Sequence, residues 1–198
     1  MPESRGKVCV SELLGKKTLI VGDVGSGKTL LTARILDELV DLGHGKEITV
    51  IDLGPERLGV GKRLSNYSKR IDEVRLLEPK QLRAPRLEGK TAKEVIMLAE
   101  HNRKAIEPLF NLFLKDPTPI LLINDLSIYF QAGKLERVLL LMNKTKTFIA
   151  NSYHGKKLYN DKGSGITRRE TEAIETMMNR VDKVVRLIRR QDERLTGQ

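Results

Sequence analysis

Gly22-Asp23-Val24-Gly25-Ser26-Gly27-Lys28-Thr29 constrains this chain more than any other stretch. It reads G-x-x-x-x-G-K-T, the phosphate-binding P-loop, and its flanks suit the motif. The aliphatic and β-branched run Thr18 to Val21 precedes it, and Leu30 to Val40 follows with apolar residues at helical spacing. The chemistry needs this order. Glycines let the backbone wrap closely around phosphates, and the N–H groups opening the next helix point at the anion. Residues Gly22 to Leu30 are therefore the expected phosphate cradle. Lys28 is expected at the β- and γ-phosphates and Thr29 on Mg²⁺. A nucleoside triphosphate is the implied ligand.

The rest of the chain sets bounds. Its 198 residues fit a single domain, 1–198, with an irregular basic insertion at about 54–90. One cysteine, Cys9, leaves no intramolecular disulfide and no cysteine-based zinc site. No run reaches the roughly 18 apolar residues of a membrane span. Met1 to Lys7 lacks the apolar centre of a signal peptide, so a cytoplasmic protein without membrane partners is the expectation. The formal charge is +10, from 36 Lys+Arg against 26 Asp+Glu. That surplus suits nucleic acid or another polyanion, and equally a well-solvated surface. Aromatic residues are only 4%, which gives little support to a stacking platform for single strands.

Strand-like runs occur at 47–53, 119–125, 146–151 and 181–188, with a shorter piece at 74–77. Helical patterns separate them: a capping box at Thr91-Glu94 opening a helix to about Leu114, a pattern from Leu135 to Met142, and a second capping box at Thr167-Glu170. Alternation of this kind indicates an α/β three-layer sandwich, a mostly parallel sheet with helices on both faces. The stretches 54–89 and 151–165 fall outside the alternation, and long loops in compact domains are usually functional or mobile.

A P-loop needs an acid at the end of a buried strand to hold the magnesium water shell. Asp125 after Ile120 to Asn124 is the preferred candidate. Were Asn124 in that position, Asp125 would fall in the place of a catalytic base. The order of P-loop, a second strand ending in acids, Leu121 to Ser127, and a strand ending in Asn151 resembles RecA/KaiC-like P-loop ATPases. The resemblance implies ATP and Mg²⁺ as ligands, a γ-phosphate sensor at Asn151, and a water-activating Glu56, with Asp52 as its substitute. The acid-plus-glutamate pair of many motors is missing, because Leu126 follows Asp125, and no DNA-binding module of a recombinase is recognisable. No Asn/Thr-Lys-x-Asp string follows a strand, which favours ATP over GTP. Arg168-Arg169, at the start of a helix, would oppose its dipole unless an anion sits near.

Three functions fit these residues. One is a Mg-dependent ATPase switching a larger assembly, a protein partner or a homo-oligomer. The second is a small-molecule kinase, with Lys62, Arg63, Arg83 and Arg86 clamping an anionic acceptor. The third is a nucleotide-gated binding module with negligible turnover.

Overall fold

Side chains alternate across a strand, so a strand buried on both faces must be apolar at nearly every position. Strands β1 (Lys17–Gly22), β2 (Ile48–Asp52) and β4 (Ile120–Asn124) are apolar through their centres, and β5 (Thr147–Tyr153) carries Phe148 to Ala150 with the buried polar residues Thr147, Asn151 and Ser152 at its ends. Two shorter or half-exposed strands, β3 (Arg75–Leu77) and β6 (Lys183–Leu187), close the edges. In the computed structural model, which describes residues 8–188, all six run parallel in the order β3-β2-β4-β5-β1-β6. Met1 to Lys7, read above as lacking the apolar centre of a signal peptide, lies outside the described residues.

Helices cover both faces. On one, Ala33, Ile35, Leu36 and Leu39 of α1 (Lys28–Asp41) pack against Ile20, Val50, Leu122 and Ile149. On the other lie α3 (Ala92–Lys115), the single-turn α4 (Ser127–Phe130), α5 (Leu135–Asn143) and α6 (Ile166–Met178). Their Phe110, Phe113, Leu141 and Ile174 meet Leu19, Ile51, Ile123 and Phe148, the opposite parity of the same strands. The three-layer α/β sandwich is thus present, with a sheet that is wholly parallel. No described helix is long and apolar enough to cross a membrane.

The expected strands and helices form with small shifts of their ends. β5 runs two residues past Asn151, and α3 continues through Pro108 to Lys115. Thr91 caps α3 by accepting from the Glu94 N–H at 3.2 Å. The second capping box does not form. Here α6 begins at Ile166 after Gly165, Thr167 donates its N–H to Asp161 Oδ2 at 3.0 Å, and Glu170 is buried. The box is displaced because Asp161 already serves the helix start and Glu170 is drawn inward by an arginine.

The stretch 54–90 carries β3 and the single-turn helix α2 (Pro85–Glu88), so part of it belongs to the sheet. It is pinned by carboxylates: Asp52 Oδ2 accepts from the Leu64 N–H at 2.6 Å, and Asp37 accepts from Ser68, Lys69 and Arg70. Parallel alignment brings Gly22, Asp52, Asn124 and Asn151 to the carboxyl edge of the sheet, where ligands bind in open α/β folds.

Candidate functional site

β1 ends at Gly22, where a Cβ would stand 2.6 Å from both the Leu187 carbonyl oxygen and Ser26 Oγ. Only glycine permits that approach. The loop then turns through Gly25 and Gly27, whose φ angles of 76° and 91° are left-handed. Gly27 precedes α1, and no side chain caps that helix, which leaves its first N–H groups for an anion. Lys28 Nζ donates to the carbonyl oxygens of Gly22 at 2.9 Å and Asp23 at 2.8 Å. Burial lowers the Lys28 pKa, and the Asp125 and Asp23 charges oppose that shift. Asp23 turns away from the phosphate side. Its Oδ1 accepts from the Val24 N–H at 2.6 Å and its Oδ2 from the Lys156 N–H at 3.3 Å.

These residues border a cleft of about 370 Å³. Of the expected cradle, Val24, Gly25, Gly27, Lys28, Thr29 and Leu30 line it, while Gly22, Asp23 and Ser26 stand behind. Asp125 lines it too, and Asn124 does not. The left-handed backbone of Asp125, φ 58°, divides the two side chains. Asp125 Oδ1 accepts from Ser127 Oγ at 2.8 Å, and burial raises its pKa against the pull of the Ser127 bond, Lys28 and Arg86.

Asn124 belongs instead to a buried polar chain across the strand ends. Its Nδ2 donates to Asp52 Oδ1 at 2.6 Å and to the Lys62 carbonyl at 2.9 Å. Its Oδ1 accepts from Asn151 Nδ2 at 2.7 Å, and the same Nδ2 donates to Thr32 Oγ1 at 2.9 Å. Asn151 Oδ1 receives the Asp125 N–H at 3.0 Å. Asn151 reaches the cleft, but both of its amide hydrogens are engaged in holding α1, β4 and β5 together.

The structure does not bring Glu56 or Asp52 to the P-loop. Glu56 is exposed with φ 47°, lies 3.3 Å from Arg63, and lines a separate hollow with Arg57, Leu58 and Gln81. Pro55 forms the wall between that hollow and the cleft, so the chain has turned before Glu56 can reach in. Asp52 is buried, and burial raises its pKa while Asn124, Leu64 and Gly54 donate to it. Among the described residues, Asp125 is the one carboxylate lining the cleft.

Of the outer wall, sequence reasoning offered Lys62 and Arg86, as part of an anion clamp, and missed Gln131 and Glu170. Arg86 of α2 lines the cleft with its side chain only 5% exposed; Nε donates to Thr167 Oγ1 at 3.1 Å and Nη2 to Glu170 Oε2 at 3.0 Å. Glu170 Oε2 also accepts from Gln131 Nε2 at 3.1 Å, and burial, opposed by Arg86, pushes the Glu170 pKa up to about 7. Of the other basic residues singled out from the sequence, Lys62 lines the cleft, Arg63 pairs with Glu56 and Glu78, Arg83 pairs with Glu88, and the two arginines at the start of α6 are occupied away from it. Arg168 pairs with Glu172 at 2.7 Å, and Arg169 donates to the Ala132 carbonyl at 3.0 Å.

A glycine-rich strand-to-helix turn at the carboxyl edge of a parallel sheet, with helices on both faces, defines a P-loop NTPase fold. The chain is similar to the crystal structure of the flagellar accessory protein FlaH from Methanocaldococcus jannaschii, with a TM-score of 0.52 and 12% identity over 87% of this chain and 71% of that one. At that identity the likeness establishes a shared RecA-like fold. No protein-family model and no curated protein matches the sequence.

Proposed function

We propose that the cleft binds Mg-ATP and that the protein acts as a nucleotide-controlled switch in a larger assembly, with slow or negligible hydrolysis. One observation carries this reading. Lys28, Thr29 and Asp125 border one cleft at the uncapped start of α1, and among the described residues no second carboxylate joins them. Backbone N–H groups of Gly25 and of 27–30 would hold the phosphates, Lys28 would supply positive charge, and Thr29 with Asp125 would hold Mg²⁺ and its waters. The metal would neutralise charge on the phosphate oxygens. This donor set suits a hydrated magnesium ion, which takes few protein ligands and completes its shell with phosphate and water.

Fast hydrolysis or transfer to an acceptor calls for a general base, usually worth 10²- to 10⁴-fold in rate. Among the described residues Asp125 is the one carboxylate in position, and it is assigned to the metal, so both an active motor and a kinase are less well supported than a switch. The test is paired binding and turnover measurement with ATP, ADP and GTP, with and without DNA, RNA and metabolite pools. Micromolar Mg-ATP binding with little turnover under any addition supports the reading. ADP formation in step with a phosphorylated acceptor would replace it with a kinase.

A further inference from the structure

Surface arginines of this chain are generally matched by acids: Arg70 pairs with Asp41 and Glu73, Arg75 with Asp116, and Arg168 with Glu172. One hollow gathers more cation than carboxylate. It holds about 460 Å³ between α3 and the start of α5, and it shares no lining residue with the nucleotide cleft. Arg103, Lys104, Lys134 and Arg137 line it against one carboxylate, Glu107. That carboxylate is already engaged. Its Oε1 accepts from the buried Tyr129 hydroxyl of α4 at 2.9 Å, and its Oε2 lies 3.4 Å from Arg137 Nε. Arg103 directs its Nε to Glu100 at 2.8 Å. Arg137 Nε is buried without a hydrogen bond, and the exposed side chains of Lys104 and Lys134 have no carboxylate partner among the described residues. Glu136 stands outside the hollow, in the first turn of α5, whose start no side chain caps. The positive field of that helix start adds to the surplus.

The same two helices leave apolar side chains in water beside the cations. Leu112 of α3 is 45% exposed and Leu140 of α5 is 40% exposed. Both helices run the same way, because each leads into a strand of one parallel sheet. Arg137 Nη2 donates to Asn111 Oδ1 between them. Leu140 lies one turn beyond Arg137, and Leu112 one turn beyond Pro108, so the leucines stand together at one end of the hollow.

A cationic hollow continued by an apolar step matches a protein segment that carries acids beside apolar residues. Nucleic acid fits less well. Its affinity comes from many phosphate contacts along the surface, whereas these cations are gathered in one hollow that no aromatic side chain lines among the described residues. A second copy of the chain also fits less well, since each copy carries a formal charge of +10.

We propose that the face formed by α3 and the start of α5 docks an acidic, amphipathic segment of a protein partner. Its carboxylates enter the hollow at Lys104, Lys134 and Arg137, and its apolar side chains cover Leu112 and Leu140. The site is separate from the cleft, so its test runs without nucleotide and its failure would leave the Mg-ATP reading untouched.

The probe is a fluorescein-labelled peptide of about 15 residues, with leucines at helical spacing on one face and glutamates beside them. Fluorescence anisotropy with the full chain should show binding that weakens as salt rises. Lys104→Glu with Lys134→Glu should weaken it at least about tenfold, and Lys104→Gln with Lys134→Gln by less. Leu112→Ser with Leu140→Ser should weaken it roughly fivefold. All four positions are exposed, so each variant should fold, and a thermal melt checks this. Absence of peptide binding, or binding that the lysine and leucine variants leave unchanged, would overturn the proposal. Equal binding of polyglutamate, with no response to the leucine changes, would reduce the face to an unselective cationic patch and overturn it too. An RNA or DNA duplex of about 20 base pairs that binds more tightly than the peptide, and loses as much with the lysine reversals, would reassign the face to nucleic acid.

Discussion

The two walls of the cleft are built on different principles. The P-loop wall is one continuous segment, 24–30, whose shape follows from its own glycines and from the helix it opens. The opposite wall gathers residues from 55–67, from Arg86, from 125–131 and from 151–158, held by bonds such as Arg86–Glu170 and Asn124–Asp52. The first wall follows from local backbone preferences, the second from burial of charge between distant segments. Substitution should therefore affect ligand binding on the first wall, and stability on the second.

Lys28→Ala should show the largest effect. Its ammonium is the one cation within the loop, and its loss should lower Mg-ATP affinity by 10²-fold or more, of the order of two charge-assisted bonds. A folded Lys28→Ala protein that binds ATP like the parent would mean that the P-loop wall is not the ligand wall.

The pair Asn124 and Asp125 sharpens the comparison, since adjacent residues serve opposite sides of it. Asn124→Asp would set a second carboxylate where the amide now donates to Asp52 at 2.6 Å and to Lys62. A like charge without a donor in a buried site costs about 3 kcal/mol or more, so the melting temperature should fall by several degrees. Asp125→Asn should leave that temperature near the parent's and lower magnesium-dependent ATP affinity roughly tenfold. The reverse assignment of the two losses would move the metal acid to position 124.

Glu170 offers a pH test of the second wall. Its pKa of about 7 in the folded protein lies above the ordinary 4.5, so the folded state binds more protons across that window. Stability from this group is then fully present below pH 4.5 and is lost as pH rises towards 7. Glu170→Gln should flatten the fall in stability between pH 5 and 7 by up to about 1 kcal/mol per pH unit. An unchanged slope would mean that Arg86 keeps the carboxylate ionised throughout.

The same division governs how much was legible in the sequence. The strands at 48–52, 120–124 and 147–153 announce themselves because burial on both faces permits few polar residues. The P-loop announces itself because its glycines and lysine answer to local geometry. The place of Asp125 was also legible, as the first polar residue able to turn into the cleft after a buried strand. Gln131 and Glu170 were not, and Arg86 stood out only as one of four basic residues offered as an anion clamp. Each is an ordinary residue in a helix or irregular stretch, and Glu170 even fits a capping pattern. What sets them apart is mutual burial across 84 residues of sequence. Asn151 lies between these cases: it lines the cleft from within β5, and its donors serve a polar chain that only the packed strand ends create.

The smallest effect is expected at Glu56. Its position after the second strand gave it the look of a water-activating residue, and removal of such a base lowers turnover by roughly 10²-fold or more. The structure sets it outside the P-loop cleft, exposed and beside Arg63, with Pro55 between. An exposed pair of this kind contributes about 0–1 kcal/mol. Glu56→Gln should therefore leave Mg-ATP affinity, melting temperature and any measurable ADP production within about twofold or a degree or two of the parent. A steady-state turnover assay beside a thermal melt checks both. A 10²-fold fall in turnover with stability intact would show that the 54–62 segment rearranges when nucleotide binds and carries Glu56 past Pro55. The outer wall would then supply the catalytic base, and the protein would be an ATPase whose active form differs from this one at that segment.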